Sequence, residues 1–229
     1  MDVMQRFHDR REAGQLLARQ LAPYTDRADV VVFALPRGGV PVGYEIAREL
    51  KAPLDVFLVR KLGVPWQPEL AMGAIAGTGT EVLNADVVSA YNIPRHVIQA
   101  VAERERRELQ RRLQEYRGSR PMPGVRDRIV ILVDDGLATG STMRAAVQAI
   151  RLERPREIVV AVPVAAPETC RELQNEVDAV VCLHTPRELV AVGRWYEDFS
   201  QTTDEEVREL LNDDTTRHHS DSAHAAGKY

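Results

Sequence analysis

The sequence predicts an α/β protein with a doubly wound, mainly parallel sheet. Short apolar runs, typical of strands buried on both faces, alternate along the chain with segments in which apolar residues recur at helical spacing. Two of these runs, ending at Leu35 and Val133, lead through glycine-containing loops into helices. Open α/β sheets bind ligands at the carboxyl ends of their strands, so we expect the functional residues in these loops.

The predicted elements alternate in chain order after an opening helix marked by Leu16, Leu17 and Leu21. Strands are predicted at 30–35, 54–60, 129–133, 158–163 and 179–183, with a weaker pair at 74–75 and 81–83. Helices are predicted at 41–50, 94–116, 140–153, 168–175 and 204–211. The tail 212–229 is polar and poor in large apolar side chains, so we expect disorder there and a single domain over 1–211.

Composition indicates the class of protein and its partners. A chain of 229 residues with 44% apolar side chains is long enough to bury one substantial core. The net charge of −4 gives no overall attraction to nucleic acid or to an anionic membrane, and we expect neither as a partner. The first residues lack the apolar core of a signal peptide, and two cysteines suit a reducing compartment, so we expect a cytoplasmic protein.

The predicted helix at 94–116 is rich in arginine, as nucleic-acid-binding helices also are. Glu103 and Arg107 are four residues apart, as are Glu108 and Arg112, which is the spacing of ion pairs along one helix face. A salt-bridged solvent face or a contact between subunits explains this pattern better, and we keep a homodimer open.

The segment 136–142 has the composition of a phosphate-binding loop. Gly136 and Gly140 allow tight turns, and hydroxyl groups lie beside the unpaired amides at the start of the next helix. A Walker loop is excluded, because three residues separate the glycines and Ser141, not lysine, follows the second one. An ordinary capped turn is the alternative, but it leaves the acidic pair before the loop unexplained.

Two carboxylates, Asp134 and Asp135, precede this loop and would repel a bare phosphate beside them. Carboxylates accept hydrogen bonds from neighbouring sugar hydroxyls and can hold a hydrated Mg²⁺. A phosphate esterified to a sugar satisfies both the loop and the acidic pair. The sequence therefore predicts a ligand that contains ribose 5-phosphate.

The loop after the first strand, at 35–41, also suits an anion. Gly38 and Gly39 allow close backbone approach, Arg37 can neutralise a diphosphate, and Pro41 suits the first turn of a helix. Taken alone, an ordinary strand-to-helix turn explains this loop equally well. Together with the loop at 136–142, it favours a ligand site where the strand order reverses.

The apolar run, acidic pair and Thr/Gly/Ser loop at 130–142 resemble the signature of type I phosphoribosyltransferases, and the likeness covers most of residues 28–185. The resemblance implies that Asp134 and Asp135 hold the ribose hydroxyls of 5-phosphoribosyl 1-diphosphate and, through ligand and water, Mg²⁺. The 5-phosphate would be bound by Ala138, Thr139, Gly140, Ser141 and Thr142. The diphosphate would be bound by Pro36, Arg37, Gly38, Gly39, Arg60 and Lys61.

Members of this family have a mobile lid after the second strand, and the matching segment here is 62–72. Its glycine and prolines disfavour regular structure, Arg60 and Lys61 lie at its root, and Trp66 either shields the site or packs on the body. A surface loop with chance basic residues is the alternative. The resemblance also implies a cis peptide between Pro36 and Arg37.

A hood over the acceptor is expected near 1–27 and 186–211, with a helical insertion at 85–120. Trp195 and Tyr196 are acceptor-side candidates in that hood. An aromatic anchor that closes the core explains the same two residues equally well.

The activity implied by the resemblance is Mg²⁺-dependent transfer of phosphoribosyl to a nitrogenous base with release of diphosphate. Arg37 and Lys61 would stabilise the leaving diphosphate, while Asp134 and Asp135 fix the ribose. Many purine-salvage members have aspartate at the position of Ala138, so this departure leaves the acceptor open. A regulator that senses nucleotides or phosphoribosyl diphosphate on the same fold, and an enzyme acting on another ribose phosphate, are the alternatives.

Overall fold

The computed structural model describes the backbone of residues 6–226 and the side chains of residues 6–215. The helices are α1 (Arg10–Gln20), α2 (Gly39–Leu50), α3 (Ala85–Ala90), α4 (Arg95–Arg117), α5 (Ser141–Leu152), α6 (Pro167–Gln174) and α7 (Asp204–Ala226). The strands are β1 (Val30–Ala34), β2 (Leu54–Val56), β3 (Val59–Val64), β4 (Gln67–Ala76), β5 (Glu81–Leu83), β6 (Ile129–Val133), β7 (Glu157–Val164) and β8 (Ala179–His184). Within residues 6–226, no helix combines the length and apolar character needed to cross a bilayer.

The central sheet has five parallel strands in the order β2-β1-β6-β7-β8. Successive residues of β1 face opposite sides: Val32 packs in the cluster that contains α1 and α2, whereas Phe33 packs in the cluster that contains α5 and α6. Strands covered by helices on both faces need apolar residues at every position, which explains the continuous apolar runs. The predicted α/β class and the doubly wound parallel sheet are confirmed.

The predicted strand at 54–60 is two strands in the structure, because β2 ends at Val56 and the chain then enters a separate antiparallel sheet, β3-β4-β5. The expectation of irregular structure at 62–72 is therefore wrong, since β3 and β4 form a hairpin there. The hairpin register shifts on both sides of Gly63, where a Cβ atom would lie 2.6 Å from the Pro68 carbonyl oxygen. A bulge at this glycine lets the pairing tolerate a proline.

The long helix α4 agrees with the prediction for 94–116 and packs against β3 and α7. Its solvent face carries the expected ion pairs: Arg112 Nε lies 2.9 Å from Glu108 Oε1, and Arg107 Nη2 lies 3.9 Å from Glu103 Oε2. The arginines of these pairs are therefore partnered within the helix, which supports the interpretation as a salt-bridged face.

The C-terminal helix α7 continues to Ala226, beyond the predicted end at residue 211; residues 227–229 lie outside the described part, and disorder of the tail 212–229 stays a prediction. Asp214 is buried, and its Oδ2 accepts a hydrogen bond of 3.0 Å from the backbone amide of Leu54 at the start of the edge strand β2. Arg120 Nη1 donates to the carbonyl oxygen of Leu211 at 3.1 Å. These polar contacts hold the part of α7 that follows the predicted helix end, and the spacing of apolar residues in the sequence does not reveal them.

A chain that ends at Leu211 should unfold more easily than the full chain. The truncation leaves the buried Leu54 amide without the Asp214 carboxylate, which should lower the free energy of unfolding by about 1–3 kcal/mol. Urea titration measures the change. A chain that ends at Thr215 keeps Asp214 and is the control. Equal stability of the two truncated chains would contradict this role of Asp214.

Candidate functional site

The two predicted ligand loops begin side by side at the carboxyl ends of β1 and β6. These strands pair in register from Val30 with Ile129 to Ala34 with Val133. One residue further, the Leu35 amide donates to the Val133 carbonyl oxygen at 2.8 Å. The loop that contains Arg37 and the loop that contains the acidic pair therefore leave the sheet at neighbouring points.

The glycines of the loop at 35–41 allow it to lie directly against Asp134 and Asp135. A Cβ atom on Gly38 would lie 2.0 Å from Asp135 Oδ2, and one on Gly39 would lie 2.7 Å from the Val133 carbonyl oxygen and 2.9 Å from the Asp134 Cα. A side chain at Gly38 would displace the Asp135 carboxylate, and one at Gly39 would displace the backbone of the neighbouring loop. The peptide between Pro36 and Arg37 is cis, as the resemblance implied.

The acidic pair is held in an environment that disfavours two negative charges. Burial raises the pKa of Asp134 well above its ordinary value, and the neighbouring Asp135 carboxylate raises it further. Burial also raises the pKa of Asp135, although Arg10 opposes that shift. The Asp135 amide donates to Asp134 Oδ1 at 2.9 Å. A cation or a set of hydrogen-bond donors in the ligand would relieve this cost.

Arg10 is a site residue that the sequence analysis missed. Its Nε donates to Asp135 Oδ2 at 2.8 Å, and its Nη1 donates to the Ser200 carbonyl oxygen at 2.7 Å. The guanidinium carbon lies 3.9 Å from the centre of the Phe199 ring. An arginine at the start of the first helix carries no local signal for a partner 125 residues away.

The segment that leads into α1 and a segment that follows β8 meet beside Asp135, and we call this pair of segments the terminal clamp (residues 7–10 and 195–200). The Phe7 amide donates to the Trp195 carbonyl oxygen at 2.8 Å, and the Glu197 amide donates to the Phe7 carbonyl oxygen at 2.8 Å. Tyr196 is buried, and its hydroxyl donates to the Asp135 carbonyl oxygen at 2.6 Å. These segments fall within the regions expected to form a hood.

The aromatic residues expected on the acceptor side have different surroundings. The contact of Tyr196 with Asp135 fits the alternative of an aromatic anchor. Trp195 is partly buried and stacks on His184 with ring centres 5.2 Å apart. Trp66 is 58% exposed at the turn between β3 and β4.

The phosphate loop presents an open helix start. Gly140 has a left-handed backbone, with φ of 65°, and a Cβ atom there would lie 2.5 Å from Thr169 Cγ2. The Thr169 hydroxyl donates to the Ala138 carbonyl oxygen at 2.7 Å and so holds the loop from below. Helix α5 has no side-chain cap among the described residues, which leaves its first amides available to an anion. Four loop residues are exposed: Ala138, Thr139, Ser141 and Thr142.

The three predicted diphosphate-binding cations each have a protein partner. Arg37 Nη1 lies 3.7 Å from Asp204 Oδ2, at the start of α7. Arg60 donates from Nε at 2.9 Å and from Nη2 at 2.6 Å to Glu105 Oε2. Lys61 Nζ lies 3.1 Å from the carbonyl oxygen of Glu69, across the hairpin. The structure places Arg37 in the loop against the acidic pair, and it pairs Arg60 with α4.

Comparisons with known proteins show which family this chain is similar to. A family model described as a phosphoribosyl transferase domain matches residues 7–194. Two Mycobacterium tuberculosis proteins, from strains CDC 1551 and H37Rv, are provisionally named phosphoribosyl transferases and are 46% identical over 222 residues. The match covers 97% of this chain and 49% of each relative, so this chain spans about half their length. The crystal structure of TT1426 from Thermus thermophilus has 45% sequence identity and a TM-score of 0.82, covering 91% of this chain and 98% of that chain.

Replacing Gly38 by alanine should destabilise the protein. The new methyl group would overlap Asp135 Oδ2 and push the carboxylate away from Arg10, which should lower the free energy of unfolding by about 1–3 kcal/mol. Denaturant titration measures this. Gly124→Ala is the matched control, because a Cβ atom there meets nothing within 4 Å. If both variants unfold like the original protein, the two loops do not pack as described.

Proposed function

This chain belongs to the phosphoribosyl transferase family, and we propose that it transfers phosphoribosyl from 5-phosphoribosyl 1-diphosphate to a nitrogenous base. The bond from the anomeric carbon to diphosphate would break, and a bond from that carbon to nitrogen would form. The observation that carries the proposal is the packing of the partly buried Asp134 and Asp135 pair against the Gly38–Gly39 loop, with the open start of α5 beside it.

Each part of this arrangement suits one part of the donor. The exposed hydroxyls and free amides at 138–142 would bind the 5-phosphate, because a helix start attracts anions. Asp134 and Asp135 would accept hydrogen bonds from the ribose hydroxyls. Arg37 would bind the diphosphate and, with Lys61, stabilise its charge as it leaves. Positioning and charge compensation would supply most of the catalysis.

Mg²⁺ is part of this proposal. Among the described residues there is no group of three or more side chains suited to hold a metal ion. Two adjacent carboxylates nevertheless fit Mg²⁺, which commonly takes one or two carboxylates and completes its shell with substrate oxygens and water. Asp134 and Asp135 would hold the ion, largely through the ligand and water. When bound, Mg²⁺ would neutralise charge on the diphosphate.

The acceptor class is the finer part of the proposal. We propose a nitrogenous base, and Ala138 lies where many purine-salvage members have an aspartate. The experiment is a panel of bases offered with 5-phosphoribosyl 1-diphosphate and Mg²⁺, with diphosphate release and nucleotide formation as readouts. Release of diphosphate together with a nucleotide supports the transfer. Diphosphate release without a nucleotide would favour a hydrolytic enzyme, and ligand binding without any turnover would favour a sensor.

Asp134→Asn combined with Asp135→Asn should weaken binding of 5-phosphoribosyl 1-diphosphate by at least about tenfold, since acceptors for the ribose and ligands for the metal are lost. Asparagine has nearly the same shape, so the fold should persist. Calorimetric titration with Mg²⁺ present measures the affinity, and Asp26→Asn, at an exposed ion pair with Lys51, is the control. Unchanged affinity in a folded double variant would remove the role of the acidic pair.

The β3–β4 hairpin should close over the bound donor. It packs against α5, whose start carries the phosphate loop, and its turn exposes Trp66. Closure would exclude water from a reactive sugar cation. Hydrogen exchange at 64–68 should therefore slow when 5-phosphoribosyl 1-diphosphate and Mg²⁺ are added, whereas exchange at the loop 118–124, between α4 and β6, should not. Equal slowing in both segments, or none at the turn, would identify the hairpin as a fixed wall.

A further inference from the structure

Arg10 joins three parts of the molecule through one guanidinium group. Its Nε donates to the Asp135 side chain, its Nη1 donates to the backbone of Ser200, and its flat face lies on the Phe199 ring. The Arg10 side chain is 11% exposed. The guanidinium group is thus contacted both at its edge and on its face, in addition to its bond with Asp135.

Asp135 in turn is contacted by several separate parts of the chain. Gly38 lies against its carboxylate from the first loop, Asp134 precedes it, and Tyr196 binds its backbone carbonyl oxygen. Arg10 contacts Oδ2, and a carboxylate has two oxygens with several acceptor positions. Acceptor capacity therefore remains for a ligand while Arg10 stays bound.

We propose that Arg10 is a positioning residue for the ribose-binding carboxylate, which it holds in orientation from the terminal clamp. This inference rests on the proposed function, because it assigns Asp135 to the ribose. Ligand binding and the packing of the terminal clamp against Asp135 then both depend on the ion pair between Arg10 and Asp135. The role requires arginine: its planar group meets Asp135 and Ser200 together and stacks on Phe199, whereas a lysine ammonium is a single point of charge.

The experiment measures the affinity of the full chain for 5-phosphoribosyl 1-diphosphate with Mg²⁺ by calorimetry. Arg10→Ala should weaken binding by about tenfold or more, the order expected for a hydrogen bond to a charged group. Guanidinium chloride, far below its unfolding concentration, should restore most of the affinity, whereas sodium chloride at equal ionic strength should not. Arg11→Ala, on the exposed side of the same helix turn, is the matched control and should bind like the original protein.

Arg10→Lys provides a second variant that should fold even if Arg10→Ala does not. It keeps the positive charge but cannot meet both partners, so its affinity should fall by at least about threefold. The positioning role is overturned if Arg10→Lys binds as tightly as the original protein. It is also overturned if loss of Arg10 tightens binding, which would make the arginine a competitor of the ribose, or if added guanidinium restores nothing, which would leave only a structural role. Failure of the original protein to bind would instead contradict the proposed function.

Discussion

The close approach of the β1 and β6 loops is the constraint on which the rest of the site depends. Parallel pairing carries the two strands to the same edge in register, and the Leu35 amide continues that pairing one residue beyond β1. The loops can then touch only if one of them lacks side chains at the contact, which Gly38 and Gly39 provide. The loop at 35–41 is thereby brought against the two carboxylates, which directly precede the loop at 136–142 in the sequence.

This arrangement buries charge, and the surrounding structure is built to tolerate it. Partial burial and the closeness of two carboxylates both favour protonation, so the pKa values of Asp134 and Asp135 are raised. Arg10 opposes that shift for Asp135 from the terminal clamp. The two segments of the clamp are far apart in sequence, and Tyr196 ties them to the chain just after β6, so they support the acidic pair from outside the sheet.

The strand, loop and helix around each ligand loop could be predicted because apolar runs and glycine spacing are local signals. The terminal clamp could not, since its contacts depend on where distant segments meet. The hairpin shows a conflict between two local signals: Gly63 and Pro68 indicated irregular structure, whereas Leu62 and Val64 are buried at alternate positions and decide the outcome. Residues 212–215 of the C-terminal helix were missed because the buried group among them is the carboxylate of Asp214 rather than an apolar side chain.

The ion pairs of the three cations predict how freely each could reach a ligand. Arg37 and Lys61 pair with carboxylates that are 43% and 98% exposed, and such pairs are worth little in water, so a diphosphate could replace them at small cost. Arg60 differs, because its partner Glu105 is 11% exposed and would keep only Arg104 as an ion-pair partner among the described residues if Arg60 moved away. Although Arg60 and Lys61 are adjacent in sequence, Arg60 pairs with a largely buried carboxylate of α4, whereas Lys61 pairs with an exposed carboxylate within the hairpin.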